Sequence, residues 1–176
     1  LLYAQPTLGY AFTVTLPLFV TFFFREFNIT QWIHPVIFVA VIYYAFGYLL
    51  RQTKRAPNWD TTLLVSGLGL GVIVSMAAPI LGGLDAALPV AIAATLWAVE
   101  AFAKKTAWLA FPANILYLLA YFIILVELKQ DEPQFFSMGA ALLGLIQHYL
   151  LTRAGSKTGA FLTGMVSQLV LLGTTY

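Results

Sequence analysis

The stretch Leu84–Val126, LDAALPVAIAATLWAVEAFAKKTAWLAFPANILYLLAYFIILV, decides the fold. Two apolar runs meet in it, parted only by Lys104 and Lys105. As one α-helix its 43 residues would extend about 60 Å, twice the roughly 30 Å hydrocarbon core of a bilayer. Two lysines would then sit inside the membrane, where charge is expensive. As two helices broken at the lysine pair, each run crosses once and the charges stay at the surface. The stretch therefore predicts two transmembrane helices.

The same pattern extends over the whole chain. Only 9 Lys and Arg and 7 Asp and Glu occur in 176 residues, 9% charged against 61% hydrophobic, with a mean hydropathy of +0.87. Soluble domains carry about 25% charged residues. Seven spans are predicted: Thr7–Phe24, Ile33–Leu50, Thr61–Pro79, Leu84–Ala103, Thr106–Val126, Phe135–Leu151 and Ala160–Thr174, or six if the last is incomplete. The fold class is an all-α polytopic membrane helical bundle. The longest polar stretch, Arg51 to Asp60, is too short to bury a core. Residues 1–176 thus read as a single transmembrane domain, expected to be a fragment of a longer chain. Cysteine is absent, which excludes disulfides, Fe–S clusters and thiolate chemistry.

Sorting the charges by side gives an orientation. The loops after the second, fourth and sixth spans hold Arg51, Lys54, Arg55, Lys104, Lys105, Arg153 and Lys157, whereas the other loops hold only Arg25 and Lys129. Acidic residues lean the other way: Glu26, Asp85, Glu127, Asp131 and Glu132 against Asp60 and Glu100. Basic loops stay in the cytoplasm. The N-terminus and loops 51–60, 104–105 and 152–159 are therefore expected on the cytoplasmic side of a cell membrane.

Two segments share an order of features. Phe22-Phe23-Phe24-Arg25-Glu26 leads to a helix ending Tyr48-Leu49-Leu50-Arg51, and Ile123-Ile124-Leu125-Val126-Glu127 leads to one ending Tyr149-Leu150-Leu151-Thr152-Arg153. The glutamates lie 101 residues apart and the arginines 102. Helices 1–3 would then recur as helices 5–7 in a parallel repeat, an architecture some transporters use.

Few residues are left for chemistry. Glu100 is the ionisable residue nearest the membrane interior, where acids mark functional sites; Lys104, four residues on, offers it a helix-face ion pair. Gln147 and His148 lie near the end of the sixth span. His148 is the candidate for a single haem or pigment ligand, since His34 opens the second span at the opposite face. Asn114 follows Pro112 early in the fifth span. Helix-to-helix hydrogen bonding is the expected role of Asn114, Gln168, Thr13, Thr15 and Ser75, and Pro17 is expected to kink the first span. Gly67 and Gly71 form a small-residue pair for close helix packing. Asn28-Ile29-Thr30 matches a glycosylation acceptor but lies a few residues from two spans.

These features predict a non-catalytic membrane protein, a structural or accessory subunit or the membrane segment of a larger protein or complex. Its expected partners are the bilayer and other proteins or the remainder of its own chain, with no nucleic acid and no cofactor. A transporter or channel core is the alternative, with Glu100, Asn114, Gln147, His148 and Gln168 as its polar site. It would need them gathered in a hydrated cavity.

Overall fold

The computed structural model describes residues 6–27, 31–54 and 58–173. They form seven α-helices and no strand: α1 (Pro6–Glu26), α2 (Ile33–Thr53), α3 (Trp59–Leu81), α4 (Ala87–Lys104), α5 (Ala110–Glu127), α6 (Pro133–Arg153) and α7 (Lys157–Leu172). Short 3-10 turns at Leu84–Ala86 and Ala107–Leu109 lead into α4 and α5. Six of the helical segments are long and apolar enough to cross a bilayer; the seventh, Lys157–Leu172, is apolar but only 16 residues long. At 1.5 Å per residue it reaches about 24 Å, short of a full hydrocarbon core. The expected last span began at Ala160 and ended at Thr174; the helix starts three residues earlier, and Thr174 lies outside the described residues, as do Asn28, Ile29 and Thr30.

Local chemistry explains the ends. Lys105 takes φ 52° and its N–H bonds the Ala101 and Phe102 carbonyls, closing α4 in a left-handed cap. The lysine pair is thus a true break, with two helices in place of one. Between α3 and the Leu84 turn stand only Gly82 and Gly83, at φ 68° and 87°, a conformation that costs glycine nothing. Helix α1 runs unbroken through Pro17, and the Thr21 hydroxyl bonds the Pro17 carbonyl at 2.8 Å.

Large apolar side chains cover the outside. Phe19 and Phe22 of α1, Met76 and Ile80 of α3, Phe102 of α4, and Phe161 and Leu162 of α7 are all more than half exposed. Hydrocarbon is the solvent that suits side chains of this kind.

Contacts divide the chain into two compact units, Leu1–Leu81 and Gly82–Tyr176. In the first, α2 and α3 pack antiparallel. A methyl group built on Gly67 would lie 2.8 Å from the Ala40 carbonyl oxygen and 3.0 Å from the Tyr44 nitrogen, and one on Gly47 would lie 2.9 Å from the Asp60 carbonyl oxygen. Helix α1 lies parallel to α3: Gly9 admits the Thr62 methyl, and the Ser66 hydroxyl donates to Thr13 Oγ1 at 2.8 Å. Val39, Tyr43 and Leu63 form the core, with Leu16, Val20, Leu50 and Leu70 against it.

The second unit is a row of antiparallel neighbours. Helices α4 and α5 pack on one another, and each carries buried alanines, Ala93 and Ala94 on α4 and Ala113 and Ala120 on α5. Thr95 Oγ1 and Tyr117 Oη lie 2.9 Å apart, and Glu127 accepts the Gly83 N–H at 2.7 Å. Helix α6 packs on α7, with Gly144 facing Ser167 and Gly164 facing His148. Without a hydrophobic force between helices in lipid, such small residues let dispersion and hydrogen bonds hold the seam.

Candidate functional site

The second unit brings together two of the polar residues that the sequence singled out. Gln147, on α6, is 2% exposed. Its Nε2 donates to the Ala107 carbonyl at 3.0 Å, so its Oε1 is the end that needs a donor. Asn114 Nδ2, on α5, supplies one at 2.8 Å. This chain of bonds orients both amides without ambiguity. It also accounts for Asn114 at the start of α5: the helix begins at Ala110, so residue 114 is held one turn in, level with the Ala107 turn.

The amide pair lines a cleft of about 350 Å³ between α5, α6 and α7. Phe111, Leu118, Leu143, Leu162 and Val166 supply its apolar wall, and Thr163 and Ser167 of α7 face it as further polar groups. Both hydroxyls donate to their own helix, Thr163 to the Gly159 carbonyl at 2.9 Å and Ser167 to the Thr163 carbonyl at 2.7 Å. Having given their protons, both can only accept a further bond, and Ser167 is itself 3% exposed. No ionisable side chain lines the cleft. A larger groove of about 640 Å³, bounded by Tyr117, Tyr121, Met138, Leu142 and Leu171, is almost wholly apolar.

The remaining candidates lie elsewhere. Glu100 is 2% exposed, and its Oε1 is 3.0 Å from Lys104 Nζ, a partner within its own helix. His148 Nδ1 donates to the Ala160 carbonyl, tying α6 to α7. Its Nε2 is the nitrogen that bond leaves over. Among the described residues no three His, Cys, Asp or Glu side chains stand close enough to hold a metal. Gln168 is exposed on α7. Thr15 and Ser75 were expected to bond other helices; they bond the Ala11 and Gly71 carbonyls of their own helices instead, as a hydroxyl four residues on readily does. Thr13 does reach another helix, through Ser66.

Sequence reasoning missed Ser66, Thr163, Ser167 and the Thr95–Tyr117 contact. A serine or threonine in an apolar run carries no mark of whether it will face its own backbone, a neighbouring helix or a cleft. Gly144 held the one available signal, for Ser167: a glycine mid-helix marks the place where another helix comes close.

Compared with known proteins, the chain matches no family model, no curated protein and no solved structure.

Proposed function

We propose that this chain is a multi-pass membrane domain with a structural, non-catalytic role, a membrane segment or accessory subunit of a larger protein or complex. The observation that carries the reading is where the polar side chains go. Glu100 is held by Lys104, Gln147 by Asn114 and Ala107, His148 by Ala160, and Thr13 by Ser66. They are spent on helix ends and helix contacts, whereas a solute pathway needs them gathered along one conduit.

The parallel repeat belongs to the same proposal, and contact register supports it. In the first unit, Thr62 follows its contact Gly9 by 53 residues, as Ser66 follows Thr13. Adding the 101-residue offset gives Ala110 with Thr163 and Asn114 with Ser167, and the last three of these four line one cleft. Gly67 against Ala40–Tyr44 maps in the same way to within a residue of the Gly144–Ser167 contact. Helix α4 then stands between the two copies in the chain, as the fourth helix of the repeating unit. The basic loops place residues 51–60, 104–105 and 152–159 in the cytoplasm under this reading.

Two experiments test it. Purified chain reconstituted alone into vesicles should pass no ions or small solutes above the empty-vesicle rate, and should co-purify from native membranes with fixed partners; specific flux by the chain alone overturns the structural role. Because the protein has no cysteine, single cysteines at Lys54, Lys157 and Lys129 report topology directly. An impermeant maleimide added outside intact cells should label only the one at 129; labelling at 54 refutes the orientation.

A further inference from the structure

We propose that the α5–α7 cleft is a binding site for a neutral, single-chain lipid whose head group is a hydroxyl, seated on Asn114 and Ser167. Three observations lead there.

The first is unspent hydrogen-bonding capacity in an apolar wall. Asn114 uses one N–H on Gln147, which leaves its second N–H and its Oδ1. Ser167 and Thr163 have given their protons to backbone carbonyls and can only accept. A hydroxyl both donates and accepts, so it meets this mixture. A carboxylate, phosphate or ammonium would enter a space with no counter-charge among its lining residues, and an unpaired charge in such surroundings costs several kcal/mol.

The second is shape and depth. At about 350 Å³ the cleft falls within the range of small-molecule sites, about 300–1,000 Å³. Along α7 its lining runs from Leu162 to Val170, about 12 Å of helix. Asn114 lies one turn inside α5, close in sequence to Lys104 and Lys105. A head group at Asn114 is therefore near the basic surface, and the tail extends past Leu118 toward the other face.

The third is the contrast with the first unit, which rests on the repeat reading as the cleft itself does not. There the corresponding seam shuts. Gly9 lets Thr62 approach to 3.1 Å of where a Cβ would stand, Ser66 bonds Thr13 directly, and α1 packs on α3. Alanine replaces glycine at 110, and the longer asparagine replaces threonine at 114. Helices α5 and α7 form no comparable seam, and an opening remains where α1 and α3 touch.

The test uses the whole chain in lipid nanodiscs and a hexadecanol bearing a diazirine on its chain. Photolabelling should be saturable, map by mass spectrometry to peptides of α5 and α7, and be competed at least tenfold better by hexadecanol than by hexadecane or palmitate. Asn114→Leu should reduce it at least tenfold. Val166→Trp, which crowds the cleft rim from an exposed position and leaves the amide pair intact, should do the same if Asn114→Leu does not fold. Labelling that does not saturate, spreads evenly over all helices, or survives both substitutions overturns the site. Equal competition by hexadecane overturns the head-group assignment and with it the proposal. Solute flux, which decides the structural reading above, is a separate measurement, so the two can fail independently.

Discussion

Two glycines in one helix, two residues apart, should respond oppositely to the same substitution. Gly67 and Gly69 both lie inside α3, so Gly→Ala gains the same helix propensity at each, about 1 kcal/mol. That term cancels in the comparison. What remains is the contact term. At 69 a new methyl meets nothing within 4 Å; at 67 it meets the Ala40 carbonyl oxygen at 2.8 Å and the Tyr44 nitrogen at 3.0 Å. Both are backbone atoms of α2, so no rotamer change relieves the clash and the helices must separate. Overpacking of this kind costs about 1–3 kcal/mol, and that is the expected difference between Gly67→Ala and Gly69→Ala. In a chain of this size it corresponds to about 2–4 °C of melting temperature per kcal/mol. Thermal unfolding in one detergent, followed by circular dichroism, measures it. A companion comparison sharpens the mechanism: a methyl on Gly144 runs into the Ser167 hydroxyl, a side-chain atom. Ser167→Ala should therefore rescue Gly144→Ala, whereas trimming Tyr44 should not rescue Gly67→Ala. If the two α3 variants melt together, or Gly67→Ala melts higher, the close α2–α3 approach is wrong.

Three other outcomes are expected. A double-mutant cycle on Asn114→Leu and Gln147→Leu should give a coupling of about 0.6–1.7 kcal/mol, the range found for hydrogen bonds between membrane helices. Asn114→Leu should be the costlier single change, because it strands the buried Gln147 Oε1, while loss of Gln147 leaves Ala107 its bond from Ala110 N–H; equal costs or zero coupling on denaturant titration count against the pair. Tyr43→Phe should raise stability by about 1 kcal/mol, since the Tyr43 hydroxyl is buried with no partner and an unmade bond of that kind costs about 1–3 kcal/mol; a lower melting temperature contradicts this. Lys105→Gly should also stabilise, by up to about 1–2 kcal/mol, because the left-handed cap at φ 52° strains any residue with a Cβ; no rise in melting temperature refutes the strain.

The legible parts of this protein are those that depend on neighbours in sequence. The break at Lys104 and Lys105 could be read because burying charge in hydrocarbon costs more than ending a helix. The Glu100–Lys104 pair could be read because residues four apart share a helix face. Gly67 could be marked as a packing position, since mid-helix glycine lowers helix propensity and makes sense where backbones must meet. The candidate site was named only as scattered residues. Asn114 and Gln147 lie 33 positions apart, and no period in either helix says that they will touch.

Composition and charge spacing by themselves determined an all-helical chain built for hydrocarbon, with its breaks near the charged clusters. Those are one-dimensional properties, set by the transfer cost of each side chain and by the length of helix that matches a bilayer. Tertiary structure alone decided which faces pair, that Ser66 closes on Thr13, that Thr15 and Ser75 turn back to their own helices, and that Asn114 and Ser167 line an open cleft. Lipid supplies no hydrophobic force to select helix faces. The choice therefore falls to shape and to a few hydrogen bonds between residues far apart in the chain, and those exist only once the helices are placed.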